Sequence, residues 1–467
     1  MDVIVGAGVV GLSIAWRLAR DGRPVTVVDP APATGASHAA AGMLAPVSEV
    51  TYTEGPLLRL GVASLRRWPS FAADLAADAG LAAADSGFTP AGPDSGTFGG
   101  RAGPGFTPAG TDGGFGISAQ ARAGLDLRAD GTLDVAFGAD DLAALDELAA
   151  YMDKLGLRVE RLTGRECRRL EPMLAPSVRG GLLAPGDAWV DPRRVTAALL
   201  AALDRLGVPL VRARAGGLLR EGDRVTGVRL AYPGDAEPGG PPELGADRVI
   251  LAAGVWSTEL ADVPVRPVKG QIMRLRSPQP LLSRCVRGTV HGSPVYLVPR
   301  GDGELVVGAT QEELGFDTRV TAGGLYELLR DARELVPGVT ELEVADVVAG
   351  LRPGTPDNLP LIGPSGTPGL FLATGHHRGG VLLAPLTAAL VSGAVAADTA
   401  DTAGGAAMPA VPGAAVPSVP GAAGGAAGTV GGSTEADGSG RSVADAVLGD
   451  EGELADLCSP ERFREIS

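Results

Sequence analysis

The sequence predicts an α/β fold: a parallel sheet, discontinuous along the chain, with an antiparallel-sheet α+β domain inserted into it. Three observations predict it. Residues 1–29 read as strand, glycine turn, helix and second strand. Apolar runs typical of buried parallel strands recur at Asp247–Gly254 and Gly369–Thr374. Between those two, residues 263–311 turn mostly β in pattern, through PVRPVKGQIMRLR, SPVYLVPR and GELVVGAT.

The first unit carries the most information. Asp2–Val5 is a short β-branched run, followed by Gly6, Gly8 and Gly11 in the pattern G-x-G-x-x-G. Apolar spacing then turns helical through Ile14, Leu18 and Ala19 until Gly22, and Pro24–Val28 reads as a second buried strand closed by Asp29. Gly6 suits the tight turn, Gly8 the close approach of backbone to a pyrophosphate, and Gly11 the packing of helix on strand. The helix N-terminus offers N–H groups and positive dipole to phosphate. Asp29 falls near the spacing of an acid that grips a ribose hydroxyl. In a chain with 70 glycines the motif alone is weak; strand, helix, strand and acid together make a Rossmann-type dinucleotide-binding unit. Whether that dinucleotide is FAD or a nicotinamide stays open here.

Further along, Thr34–Pro46 is small and apolar, suited to close approach of a flat ligand, and Leu57–Ala79 is helical with a break at Pro69. Residues 86–130 change character: GFTPAG occurs twice in a Gly-, Pro- and Asp-rich run that lacks the apolar content to bury itself, and is expected to be a disordered insertion. Thr132–Phe137 reads as a strand and Asp140–Leu155 as a helix. Asp191-Pro192 starts a helix that Gly207 ends. Val208–Val211 is a strand, and Arg224–Leu230 belongs to an antiparallel region. Gly324–Leu335 is a helix, Glu343–Val348 a strand and Leu382–Ala397 a helix. The expected division gives residues 1–85, 187–220, 246–262 and 343–397 to the dinucleotide domain, and 131–186, 221–245 and 263–342 to a substrate domain. Residues 398–441 read as a disordered linker, and the 442–467 tail either docks on the body or frays.

Composition excludes other classes. A net charge of −15 argues against nucleic acid as a partner. The 3 cysteines are far apart, without a C-x-x-C pair, so a metal cluster or disulfide framework is not expected. No apolar run approaches the ~20 residues that span a bilayer. The first strand starts at residue 2, leaving no room for a signal peptide and suggesting a start codon upstream. A cytoplasmic protein without membrane association is expected.

Three segments suggest chemistry. Arg352 sits in GLRPGTPDNLPLIG, a turn-rich loop between buried strands; it is either a surface charge or a bidentate carboxylate clamp. GHHRGGVLLAP follows a buried strand and leads into a helix, so Gly379 and Gly380 permit close approach and Arg378 can serve a carboxylate or a flavin. The histidines there have no metal-ligand partners nearby. Tyr296 in SPVYLVPR is either a core aromatic or a hydroxyl aimed into a cavity. His38 and Lys269 read as a small-loop position and a salt-bridge partner.

These segments, with SHAAAGMLAP (Ser37–Pro46), DAWVDPRRV (Asp187–Val195), AAGVWS (Ala252–Ser257), PVRPVKGQ and LVVGAT, carry a resemblance over residues 1 to about 397. The chain resembles the FAD-dependent D-amino-acid oxidase and glycine oxidase family, and within it the glycine oxidases of thiamine thiazole biosynthesis. The resemblance implies that Gly6, Gly8, Val9, Val10, Gly11 and Asp29 hold the ADP half of FAD. Ser37, Ala41, Gly42 and Met43 would line the flavin, and Gly375, His376, Gly379, Gly380, Val381 and Leu382 would cradle its pyrimidine edge. Arg352 would clamp a substrate carboxylate, with Tyr296 and Arg378 completing the pocket. Relatives acting on sarcosine can carry a flavin-linked cysteine just before T-P-D; here that region reads AGLRPGTPD, which implies non-covalent FAD. The implied reaction is oxidative deamination of glycine, and of sarcosine or small D-amino acids, by hydride transfer to flavin N5. Oxygen would be the acceptor, and the products imine or glyoxylate, ammonia and hydrogen peroxide, feeding thiazole formation. Thiazole synthase and a second copy of the chain are the expected partners. A D-amino-acid or sarcosine oxidase or dehydrogenase, and a non-catalytic flavoprotein scaffold, are the alternatives.

Overall fold

The computed structural model describes residues 1–49, 53–81, 116–232, 241–404 and 450–466. A six-stranded sheet runs in the order Leu361–Pro364, Leu370–Thr374, Arg248–Leu251, Asp2–Val5, Val25–Val28, Leu210–Val211. All neighbours are parallel except Leu361–Pro364, which is antiparallel to Leu370–Thr374. Every residue of Asp2–Val5, Val25–Val28 and Arg248–Leu251 is buried, so both faces of these strands need cover.

One face packs against the helices Val9–Arg20, Pro192–Arg205 and Ala384–Gly404, with Ile4, Leu12, Leu199 and Val391 in one cluster. The other is covered by a three-stranded antiparallel meander, Arg214–Glu221, Arg224–Ala231 and Glu243–Gly245. Its Val225, Val228 and Leu230 pack on Val3, Val5, Val249 and Leu251. Fully burying such a side chain contributes roughly 1.5–3 kcal/mol. Of residues 221–245, expected in the substrate domain, the strands Arg224–Ala231 and Glu243–Gly245 therefore belong by packing to the parallel sheet, whose apolar second face recruits them; residues 233–240 lie outside the described residues.

The second sheet has eight strands: Glu343–Gly354, Arg266–Arg276, Glu304–Gly308, Ser293–Pro299, Cys285–Val290, Thr132–Ala136, Gly180–Ala184 and Glu160–Thr163. Only Cys285–Val290 and Thr132–Ala136 pair parallel. The helix Ala322–Leu335, capped by Thr321, packs Leu328, Ala332 and Leu335 on one face. The other face turns Ile272, Val298 and Val306 toward Ala41 and Met43 of the first domain. The expected antiparallel region is thus present. It also claims Glu343–Gly354, which the sequence reading assigned to the dinucleotide domain; that strand pairs with Arg266–Arg276 along its whole length.

Of the 86–130 insertion, residues 86–115 lie outside the described residues. Residues 116–130 depart from the expectation: Ala119–Leu125 is a helix capped by Ser118, and Ala121, Leu125 and Leu127 are buried in the core of the first domain. Residues 398–404 continue the helix Ala384–Gly404, and 405–449 lie outside the described residues. The tail docks. Asp450 caps the helix Glu451–Leu457, Leu454 and Cys458 are buried, and Arg462 pairs with Asp357. No helix among the described residues is long and apolar enough to cross a membrane.

Candidate active site

A cavity of about 1200 Å³ runs from the Gly6–Gly11 turn to the inner face of the eight-stranded sheet. At its first end Gly6 has φ +108°, and a Cβ there would stand closer than 3.0 Å to the Ala252 carbonyl. Gly11 packs as closely on the Gly6 carbonyl, which fuses helix to strand as expected. The helix Val9–Arg20 starts at an extended Gly8 with no side-chain cap and no acid in its first turn. Its positive end is left for an anion from the cavity. The Val9 N–H is held by Ser37 Oγ at 2.9 Å. Asp29 accepts N–H bonds from Ala7 and Ala31, both at 2.7 Å, one on each carboxylate oxygen. Each oxygen keeps a lone pair for a hydroxyl. Gly6, Gly8, Val9, Val10 and Asp29 all line the cavity; Gly11 stands behind them.

The middle of the cavity is lined by Ser37, Ala41, Gly42 and Met43. Gly42 has φ +80° and approaches the Val190 carbonyl closer than a Cβ allows. Two buried arginines fix this loop by its carbonyls, and the sequence reading had given neither a role. Arg300 donates to Val190 O at 3.0 Å and to Ala41 O; Arg274 donates to Ala40 O at 3.3 Å and to Glu304 at 2.5 Å. An arginine inside the quoted VYLVPR motif was the available signal for Arg300.

The GHHRGGVLLAP loop is redistributed. His376, Gly380 and Val381 line the cavity, whereas Gly375, Gly379 and Leu382 do not. Gly375 packs on Thr355, and the Leu382 carbonyl is taken by Ser64 Oγ at 2.6 Å and Trp68 Nε1 at 3.0 Å. His376 meets Thr387 Oγ1 at 3.0 Å, and burial pushes its pKa down to about 3, so it is a neutral group. Arg378 gives its fork to Glu54, at 3.2 Å to Oε1 and closer to Oε2, and donates to the Glu49 carbonyl at 3.2 Å. It holds Glu49 and Glu54 rather than offering an open fork to a ligand.

At the far end stand Arg352 and Tyr296. Arg352 Nη1 donates to the carbonyls of Thr310 at 3.2 Å and Lys269 at 3.4 Å. Its guanidinium lies over Gly270, and the ring tip of Tyr296 lies over Gly308; a Cβ on either glycine would come closer than 3.0 Å to it. Burial pushes the Tyr296 hydroxyl up to about 12, with the neighbouring Arg352 pulling the other way. Tyr296 is therefore a neutral donor beside a cation, an arrangement that receives a carboxylate. Two charged side chains on the same chamber, Glu49 and Arg287, escaped the sequence reading. Glu49 is set by Asp187, which accepts from Ser48 Oγ at 2.6 Å and from the N–H groups of Ser48 and Val47. Lys269 lies buried beside Glu312 at 3.2 Å, as the salt-bridge reading expected, and His38 sits in the short helix Ala36–Ala39.

A helix end without an acid in its first turn, a terminal acid, a small-residue channel and an arginine–tyrosine pair thus share one cavity. These residues fit a dinucleotide whose reactive end meets a small carboxylate. A family model described as FAD dependent oxidoreductase matches residues 3–108 and 111–394. A bifunctional ThiO/ThiG protein of Nostoc sp. is 32% identical over 400 residues, 85% of this chain and 53% of that protein; the chain spans about half the length of such relatives. A glycine oxidase of Geobacillus kaustophilus is 31% identical over 83% of this chain and 91% of that protein. A solved glycine oxidase structure from that organism superposes with a TM-score of 0.70 at 29% identity, covering 85% of this chain and 94% of that one. The hydrogen cyanide synthase subunit HcnC of Pseudomonas aeruginosa is 31% identical over 85% of this chain and 92% of that protein.

Proposed function

The chain belongs to the family of FAD-dependent oxidoreductases, and on that premise we propose that it oxidises glycine to the imine. Sarcosine and small D-amino acids are further substrates, and oxygen is the acceptor. Hydrolysis of the imine gives glyoxylate and ammonia, with hydrogen peroxide as co-product. The observation that carries this reading is the Arg352–Tyr296 pair, set on Gly270 and Gly308 at the far end of the cavity that begins at the dinucleotide cradle.

When bound, FAD supplies the acceptor for a hydride from the substrate α-carbon. Arg352 and Tyr296 hold the carboxylate and so fix where that carbon lies, which is most of what a positioned unimolecular step requires. Glu49 offers an acceptor to the nitrogen end. The amine is used in its neutral form, its extra proton leaving before the hydride so that the nitrogen lone pair can form the imine. The neutral His376 adds no cation to the wall. None of Cys167, Cys285 and Cys458 lines the cavity, which supports non-covalent FAD.

Anaerobic bleaching of the bound flavin by glycine, sarcosine and D-alanine, compared side by side, tests the reading. Glycine is expected to bleach it, and oxygen uptake with peroxide release is expected on turnover. A flavin that no amine bleaches overturns the enzyme reading in favour of a scaffold; bleaching without oxygen uptake points to a dehydrogenase. The similarity to half of a bifunctional ThiO/ThiG protein supports association with thiazole synthase in thiazole formation. The same reading places the chain in the cytoplasm as a homo-oligomer.

A further inference from the structure

We infer that Arg287 is a second anion anchor of the substrate chamber, so that this chain favours small amines carrying a second carboxylate. The inference deepens the proposed function and rests on it: Arg352 must hold the first carboxylate.

Arg287 stands directly opposite Tyr296 in the antiparallel register of Cys285–Val290 and Ser293–Pro299. Directly opposed side chains share a face of the sheet, here the face that lines the chamber with Glu49 and Arg352. Tyr296 lies on a strand between those of Arg287 and Arg352. A ligand reaching from one arginine to the other therefore crosses the tyrosine.

The donors of Arg287 are only partly used. Nε meets Asp134 Oδ2 at 3.3 Å, whereas Nη1 is buried and has no acceptor among the described residues. A guanidinium carries five N–H donors in a fixed fork, and Asp134 serves one side of it. Nη1 is shut away from the chamber, so the donor left to a ligand is Nη2, which is not buried and makes no hydrogen bond among the described residues of the cavity that Arg287 lines. A carboxylate is its best partner. Glycine does not supply it, because its single carboxylate lies at Arg352. A carboxylate on a short α-substituent or on the nitrogen substituent supplies it, and a neutral amide of the same shape does not match the charge.

The test uses the FAD-loaded full chain and reads perturbation of the flavin absorbance by ligands that do not react. Succinate and malonate are compared with their monoamides, succinamate and malonamate, and with acetate. The diacids are expected to bind at least tenfold more tightly than the monoamides. Arg287→Met is expected to bring the two within about twofold, and Arg287→Lys, which keeps a cation beside Asp134, to leave a smaller preference than wild type. In turnover, the ratio of kcat/KM for D-aspartate over its isostere D-asparagine should fall in parallel. If acetate perturbs the flavin but wild type holds diacid and monoamide equally, Arg287 is no anchor and the glycine reading stands. If neither acetate nor glycine perturbs or reduces the flavin, the reading of Arg352 falls first and the anchor falls with it. The wild-type comparison decides the matter even if a variant fails to fold.

Discussion

Arg352 rests face-on against Gly270 of the neighbouring strand, so closely that a Cβ on that glycine would come within 3.0 Å of Nη1, Cζ and Nη2 alike. The clamp is therefore placed by a missing side chain. Gly270→Ala should tilt the guanidinium, and a displacement of about 1 Å at a positioning group costs on the order of 100-fold in kcat/KM. FAD affinity and the melting temperature should change far less than kcat/KM. An unaltered kcat/KM for glycine in Gly270→Ala would show that Arg352 does not set the substrate.

Removing the clamp outright is the stronger form of the same test. Arg352→Ala should cost about 2–5 kcal/mol of transition-state binding. Arg352→Lys should restore little of it, because an ammonium lacks the planar fork. Steady-state kinetics with glycine checks both, and unchanged turnover in Arg352→Ala sinks the assignment.

Glu54 and Arg378 stand 324 residues apart in the chain and form one ion pair beside the chamber. Glu54→Ala leaves a mostly buried guanidinium without its carboxylate and should cost about 1–3 kcal/mol of stability. Because Arg378 also holds the Glu49 carbonyl, KM for glycine should rise while the Kd of FAD stays within about threefold. Loss of FAD with KM unchanged would place the pair at the cofactor instead.

Legibility in the sequence follows from distance along the chain. The Gly6–Asp29 unit was readable because each of its partners lies within one strand–helix–strand run, and its geometry is as expected. Glu343–Gly354 was assigned to the wrong sheet because its partner, Arg266–Arg276, is far upstream, and an apolar strand does not announce which neighbour it pairs with. Arg378 reads as a pocket residue in its loop, but its ion pair with Glu54, 324 residues away, has no local signature. Arg287 stayed hidden because its role depends on cross-strand register with Tyr296, which no local pattern encodes. Gly270 and Gly308 do leave a trace in PVRPVKGQ and LVVGAT: glycine inside a strand marks a close approach.

His376 makes folding acid-sensitive. Its pKa falls from 6.5 to about 3 through burial, so the unfolded chain takes up a proton that the folded one refuses. The stability contribution is intact above about pH 6.5 and is lost as pH falls toward 3, at roughly 1.4 kcal/mol per pH unit. Wild type should therefore lose about 2 kcal/mol from this group between pH 6.5 and 5. Urea midpoints of wild type and His376→Gln should converge, or cross, on acidification. A constant gap between them would mean that His376 is protonated in the fold.

Asp187 acts with the opposite sign. Burial raises its carboxyl from 3.8 to about 6, against the Ser48 and Val47 donors that favour the ionised form. The folded state thus holds this proton more tightly than the unfolded chain. Its contribution is full below about pH 4 and is lost as pH rises through 6, amounting to about 3 kcal/mol at most. Asp187→Asn cannot ionise, although its single carbonyl oxygen replaces only one of two acceptors and forfeits about 1 kcal/mol of hydrogen bonding. The variant should be about as stable as wild type at pH 4.5, gain on it up to about pH 6, and keep a nearly constant advantage from there to pH 8. Because Asp187 sets the loop that carries Glu49, KM for glycine should lose part of its pH dependence between pH 5 and 7 in the same variant. Melting temperatures across pH 4.5–8 check the first effect; a difference that does not change with pH means that Asp187 is ionised throughout, and that its hydrogen bonds outweigh the cost of its burial.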